Sequence, residues 1–156
     1  MATQEQINFC NSETHKHCQL VRRNINLFVS DLQERGLNHD ATKFEEPELG
    51  IFAENTHRLG ATVYGSPEYK ALSQDCLPAI THHYAKNRHH PEHWPGGIEN
   101  MTLIDLVEML ADWKAATQRN KDGNIRKSIE INAAKYKMSP QLRTIFENTV
   151  REYFKE

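Results

Sequence analysis

Residues 102–119, TLIDLVEMLADWKAATQR, decide the fold class. Thr102 with Asp105 three places on has the pattern of a capping box, which opens a helix. Leu103, Leu106, Leu110 and Trp113 then recur at helical steps. Asp105, Glu108 and Asp112 fall on a different side, within about 60° of one another. The segment predicts a helix over 102–119 with one apolar and one acidic face. For Glu108 the preferred reading is a solvated acidic face; the two aspartates stay open.

Working outward, Gly123 breaks the chain, a helix follows over about 125–136, and Ser139-Pro140 begins a last one reaching about Phe154. That helix carries an apolar stripe of Leu142, Ile145, Phe146 and Tyr153, suited to a core or to a docking surface. On the other side, NRHHPEHWPGGI (87–98) holds two prolines and two glycines and reads as a loop. Before it, Ser66 as N-cap and Pro67 at the first helical position start a helix carrying Tyr69, Leu72, Cys76, Ile80 and His83, with a kink at Pro78. A helix over Pro47–Arg58 is closed by Leu59-Gly60. The first long helix starts near Ser12, shows one stripe of His17, Val21, Ile25, Phe28 and Leu32, and ends at Gly36. GLNHDATKFEEPE (36–48) is turn-like. β-Branched alternation is nearly missing, so the expected fold is an all-α single domain over 1–156, a bundle of about six helices.

Composition excludes several classes. Nineteen Lys+Arg against 21 Asp+Glu give a net charge of -2, so bulk charge offers nothing to double-stranded nucleic acid. No apolar run approaches the ~20 residues of a membrane helix. The N-terminus lacks a basic-then-apolar pattern, and Cys10, Cys18 and Cys76 form no CxxC pair; the expectation is reduced thiols in a cytoplasmic protein.

Histidine is out of line. Of nine, five (His82, His83, His89, His90, His93) fall within twelve residues, where even spreading would put fewer than one. Several neutral imidazoles held together favour a divalent cation, which offsets the cost of crowding them. Not all five can be ligands; some would be hydrogen-bond partners of ligands or substrate contacts. His39 and Asp40 are adjacent in a segment able to turn sharply, and this pair suits zinc, manganese, iron or nickel better than calcium. The plainer reading of Asp40 is a helix cap. On the first helix His17 extends the apolar stripe, as a core residue or a ligand, whereas His15 points elsewhere.

The order His17, His39-Asp40, histidine cluster, Asp112 resembles the HD-domain superfamily of metal-dependent phosphohydrolases. HDATK looks like that family's doublet with a lysine three places on, and LADWKAA looks like its late-helix motif. The chain is also similar to an uncharacterised family of small phage and bacterial proteins with this HD-like pattern. The resemblance spans about residues 12–119, leaving 125–154 as supporting helices. It implies an HD-like bundle holding one or two transition-metal ions (Mn, Fe, Co, Ni or Zn) on His17, His39, Asp40, His83, His90 and Asp112. Asp105 is the runner-up to Asp112. The choice between His82 and His83, and among His89, His90 and His93, is open because the GYP tripeptide of two-metal members is missing.

The implied activity is hydrolysis of a phosphoester, most naturally of a nucleotide, by metal-activated water. Asp40 would bind metal and orient that water, and a cluster histidine such as His83 would protonate the leaving group. Lys43, Lys86 and Arg88 would hold the phosphate. Tyr64, Tyr84 or Trp94 could stack on a base, although packing is the plainer role. The expected partner is a small phosphorylated molecule, with homo-oligomerisation open. Two rivals differ in class: a di-iron HD-type oxygenase, separated by metal identity, and a non-catalytic metal-stabilised binding protein.

Overall fold

Thr3 opens the first helix: the Gln6 backbone N–H donates to Thr3 Oγ1 at 3.2 Å, and the Thr3 N–H to Gln6 Oε1 at 2.9 Å. This reciprocal pair satisfies two otherwise orphaned donors. In the computed structural model the described residues are 1–62, 66–119 and 123–154, without the side chains of 59, 60 and 69. Helix α1 spans Gln4–Asn38, starting well before Ser12 and running through Gly36. The Asn38 side-chain amide donates to the Glu34 carbonyl at 3.0 Å, helping the last turn close. None of its residues is buried, and it forms a compact unit of its own, Met1–Asn38.

The second unit is His39–Glu156. It opens with a tight turn at Asp40 (φ 56°, ψ 20°), left-handed backbone that Asp tolerates because its short polar side chain can bond locally. A 3₁₀ turn over Ala41–Phe44 follows, and then α2 (Glu48–Ala61), which runs past the expected stop at Leu59-Gly60. The single helix expected from Pro67 is two: α3 (Pro67–Asp75) and α4 (Leu77–Lys86). Pro78 sits in the first turn of α4, where its missing N–H costs nothing, so the chain breaks before it instead of kinking through it. Tyr64 and Gly65 lie outside the described residues.

The stretch expected to be a loop holds two 3₁₀ turns, Pro91–His93 and Gly97–Asn100. Helix α5 (Leu103–Gln118) has the full capping box of Thr102 and Asp105. Asn124 caps α6 (Ile125–Lys135), and Ser139 caps α7 (Pro140–Tyr153). The turn into α6 needs Gly123: a Cβ there would lie 1.8 Å from the Thr117 carbonyl oxygen. The architecture is all-α, seven helices with no strand among the described residues.

In this unit α2 packs on α3, α4 and the Ala41–Phe44 turn, while α5, α6 and α7 pack in series. The principal core lies among α5, α6, α7 and the loop before α5, around Met109, Leu110, Ile125, Ile129, Phe146 and Val150. Of the last helix's stripe, Phe146 is buried, whereas Ile145 and Tyr153 are exposed. Among the described residues no helix is long and apolar enough to cross a membrane.

Candidate metal centre

Four segments of the second unit converge. The left-handed turn at Asp40 brings His39 and Asp40 against the C-terminal half of α4, which carries His82 and His83. The loop beyond α4 supplies His89 and His90, and the acidic side of α5 supplies Glu108 and Asp112.

Asp40 is the centre of the cluster. Its Oδ1 lies 3.1 Å from His83 Nε2 and 3.5 Å from His89 Nε2, and His83 Nε2 lies 2.9 Å from His90 Nε2. One ligand atom from each of Asp40, His83, His89 and His90 falls within a common 4.8 Å. On the other side, His39 Nε2 lies 3.7 Å from Asp40 Oδ2 and 3.5 Å from Asp112 Oδ1. The two oxygens of Asp40 therefore face two donor groups.

Behind the imidazoles stand two carboxylates. Glu48, at the start of α2 and 0% exposed, accepts from His82 Nδ1 and His83 Nδ1, each at 2.8 Å. Glu108 Oε1 lies 3.0 Å from His39 Nδ1 and 3.2 Å from His89 Nδ1. With Nδ1 on a carboxylate, each of His39, His83 and His89 turns its Nε2 toward Asp40, and that nitrogen is the one a cation would take in place of a proton.

The cluster fits a cation by one physical test. Asp40 Oδ1 and His89 Nε2 are buried without a hydrogen-bond partner. A buried polar atom in that state costs about 1–3 kcal/mol. Two acceptors left facing each other, ringed by further imidazole nitrogens, are what a divalent ion satisfies at once. The donor set of imidazoles and carboxylates belongs to the transition metals rather than to calcium.

Residues 6–152 match the family described as Family of unknown function (DUF5662). The chain belongs to this family. Comparison with curated proteins and with solved structures gave no match. Within this DUF5662 chain the His/Asp cluster resembles an HD-like metal site.

The electrostatics follow the geometry. Hydrogen bonds to Asp112 and Glu108 raise the pKa of His39 to about 10, against burial. Burial pushes the Asp40 carboxyl up, but the neighbouring His83, Lys43 and His39 outweigh it and hold the group far below the usual range. Burial and the neighbouring His89 and His83 push His90 down to about 3, which keeps the ring neutral. Glu48 and Asp112 are likewise held ionised: burial opposes it, and the hydrogen bonds from their histidine partners prevail.

The remaining sequence candidates are placed as follows. His17 is exposed on α1, in the other unit. Lys43 Nζ donates to Asp40 Oδ2 at 2.6 Å. Lys86 is exposed. Arg88 is bound to both oxygens of Asp105 (3.1 and 3.3 Å) and lies over the Trp94 ring at 4.5 Å. Asp105 itself is buried and spent on the Thr102 cap, leaving Asp112 as the aspartate of α5 beside His39. His93 Nδ1 donates to the Tyr84 carbonyl at 3.1 Å, away from the cluster, and the Tyr84 ring packs on His90.

Two residues correct the sequence reading. Glu108 is no solvated acid: its side chain is 13% exposed and holds two imidazoles, because α5 buries its acidic side against the site as well as its apolar side in the core. Glu48 is the second: it carries no sequence signal of the role it plays here. A glutamate in the first turn of a helix ordinarily serves the helix dipole, and nothing local marks this one as buried.

Proposed function

We propose that this chain is a metal-dependent phosphohydrolase acting on a phosphoester, most naturally a nucleotide. The orphaned pair of Asp40 Oδ1 and His89 Nε2 carries the reading. His83 and His90 complete a donor group around it, and His39, Asp40 and Asp112 form a second one. Asp40, with one oxygen toward each group, would help hold a cation in either. A bound divalent ion supplies Lewis acidity toward a phosphoryl oxygen and lowers the pKa of water.

The chain's own groups do the rest. Glu48 and Glu108 fix the tautomers and ring orientations of the ligand histidines. With Nδ1 on Glu48 and Nε2 toward Asp40, His83 is assigned ligation rather than proton transfer. Lys43, 43% exposed at its side chain and already at Asp40, is placed to meet the phosphate and offset its developing charge. Arg88, committed to Asp105, is assigned to structure. The resemblance adds His17 to the ligands; metal content of His17→Ala decides that membership.

Elemental analysis of the purified protein, followed by phosphate-release assays over nucleotides with each metal, tests the proposal. Stoichiometric manganese, nickel, cobalt or zinc with phosphate release supports it. Iron with an oxygen-dependent spectrum, or silence with every metal, overturns it.

A further inference from the structure

Leu49, Phe52, Ala53 and Thr56 recur at steps of three, one and three, which places them along one face of α2. Together with Lys43 and Arg119 they line a cleft of about 350 Å³, a size suited to a small organic molecule. Its lining is distinctive. Among the described residues two cations face it and no carboxylate does, in a chain whose net charge is -2. The other described lining residues are aliphatic or aromatic except for the Thr56 hydroxyl. One of its cations is Lys43, whose Nζ rests on Asp40 Oδ2, so the cleft adjoins the cluster through that side chain.

Resting on the hydrolase reading, though not on a nucleotide as its substrate, we propose that this cleft seats the organic group of a phosphomonoester, and that the group is apolar and flat, of aryl size. Lys43 and Arg119 take the phosphate, and Phe52 and Leu49 take the carbon framework. A hydroxyl-rich group such as glycerol would meet side chains unable to replace its bonds to water, and its polar groups would be left unpaired. A nucleobase would be held by its face alone, because among the described residues no neutral polar side chain apart from Thr56 lines the cleft to read its edge.

Calorimetric titration of the full chain, with and without manganese(II), using phenylphosphonate and methylphosphonate as probes, tests this. Burying one ring is worth about tenfold in affinity, so phenylphosphonate should bind at least that much more tightly than methylphosphonate. Ala53 is exposed, so Ala53→Trp fills the cleft without burdening the fold, and it should erase the difference. Arg119→Ala should weaken both probes by the same factor. Equal affinities in the parent chain, a difference that survives Ala53→Trp, or no binding of either probe would overturn the proposal. Phosphate release from phenyl and methyl phosphate keeps the two readings apart. Probe discrimination without release from any ester sinks the hydrolase and spares the cleft. Release with equal kcat/KM for both esters does the reverse.

Discussion

Replacing Glu48 by glutamine changes one oxygen into an NH₂ and almost nothing else. In the parent chain both oxygens of this fully buried carboxylate accept from imidazoles, His82 Nδ1 and His83 Nδ1, at 2.8 Å each. An amide has one acceptor, so in Glu48→Gln one imidazole must face a donor. If that imidazole is His83, its proton moves to Nε2, the atom turned toward Asp40 Oδ1 at 3.1 Å, and the lone pair meant for a cation is lost. His82 competes for the single carbonyl, so a substantial fraction of molecules holds His83 in the wrong tautomer. Outer-shell partners of this kind are worth about 10–100-fold in metal affinity, or about 1.4–2.7 kcal/mol. Competition against a chelating dye measures the loss, with helical content from circular dichroism as the control for folding. His82 is the more exposed of the two rings (33% against 4%), so the double variant His82→Ala/Glu48→Gln frees the carbonyl for His83 and should recover most of the affinity. Unchanged metal affinity in Glu48→Gln, or no recovery in the double variant, would refute the tautomer argument.

Asp105→Ala removes the α5 capping box and should cost about 2 kcal/mol, seen as a Tm lower by about 4–8 °C, while metal stoichiometry stays that of the parent. Glu92 accepts from Lys135 and Tyr136, both at 3.0 Å, and these bonds outweigh burial to hold its carboxyl below the usual range. A depressed acid contributes stability above its unfolded pKa and loses it as pH falls through the folded value. Glu92→Gln should therefore flatten the fall in stability between about pH 5 and 3, measured by urea titration at each pH. Gly123→Ala drives a Cβ into the Thr117 carbonyl and should destabilise by about 1–3 kcal/mol, read as a lower urea midpoint at unchanged slope.

The parts of the fold legible in sequence are those with local punctuation. Thr102, Asn124 and Ser139 each accept from a backbone N–H three places on, and α5, α6 and α7 begin where the sequence says. Helix α1 misled because Ser12 offers cap chemistry in the middle of a helix already opened by Thr3 and Gln6. Pro78 looks like a kink in sequence because a proline two residues into a helix and one inside a longer helix look alike without the backbone. At the candidate site the crowding of histidines was plain, and so was the His39-Asp40 doublet. Which imidazoles turn inward was not, since His89 and His93 differ only through the path of a loop. The carboxylates behind the ring were hidden for a deeper reason. A glutamate on a helix looks polar and exposed until the tertiary fold brings imidazoles to its two oxygens, across gaps of 34 and 35 residues for Glu48.

The backbone corner at residue 40 has a consequence for anyone altering this protein. A positive φ there penalises most side chains by about 1 kcal/mol or more, yet asparagine tolerates it as well as aspartate does. Position 40 thus carries two separable duties, bending the chain and supplying negative charge. Asp40→Asn should keep the first and discard the second, yielding a correctly shaped but ion-blind scaffold against which every loaded form can be compared.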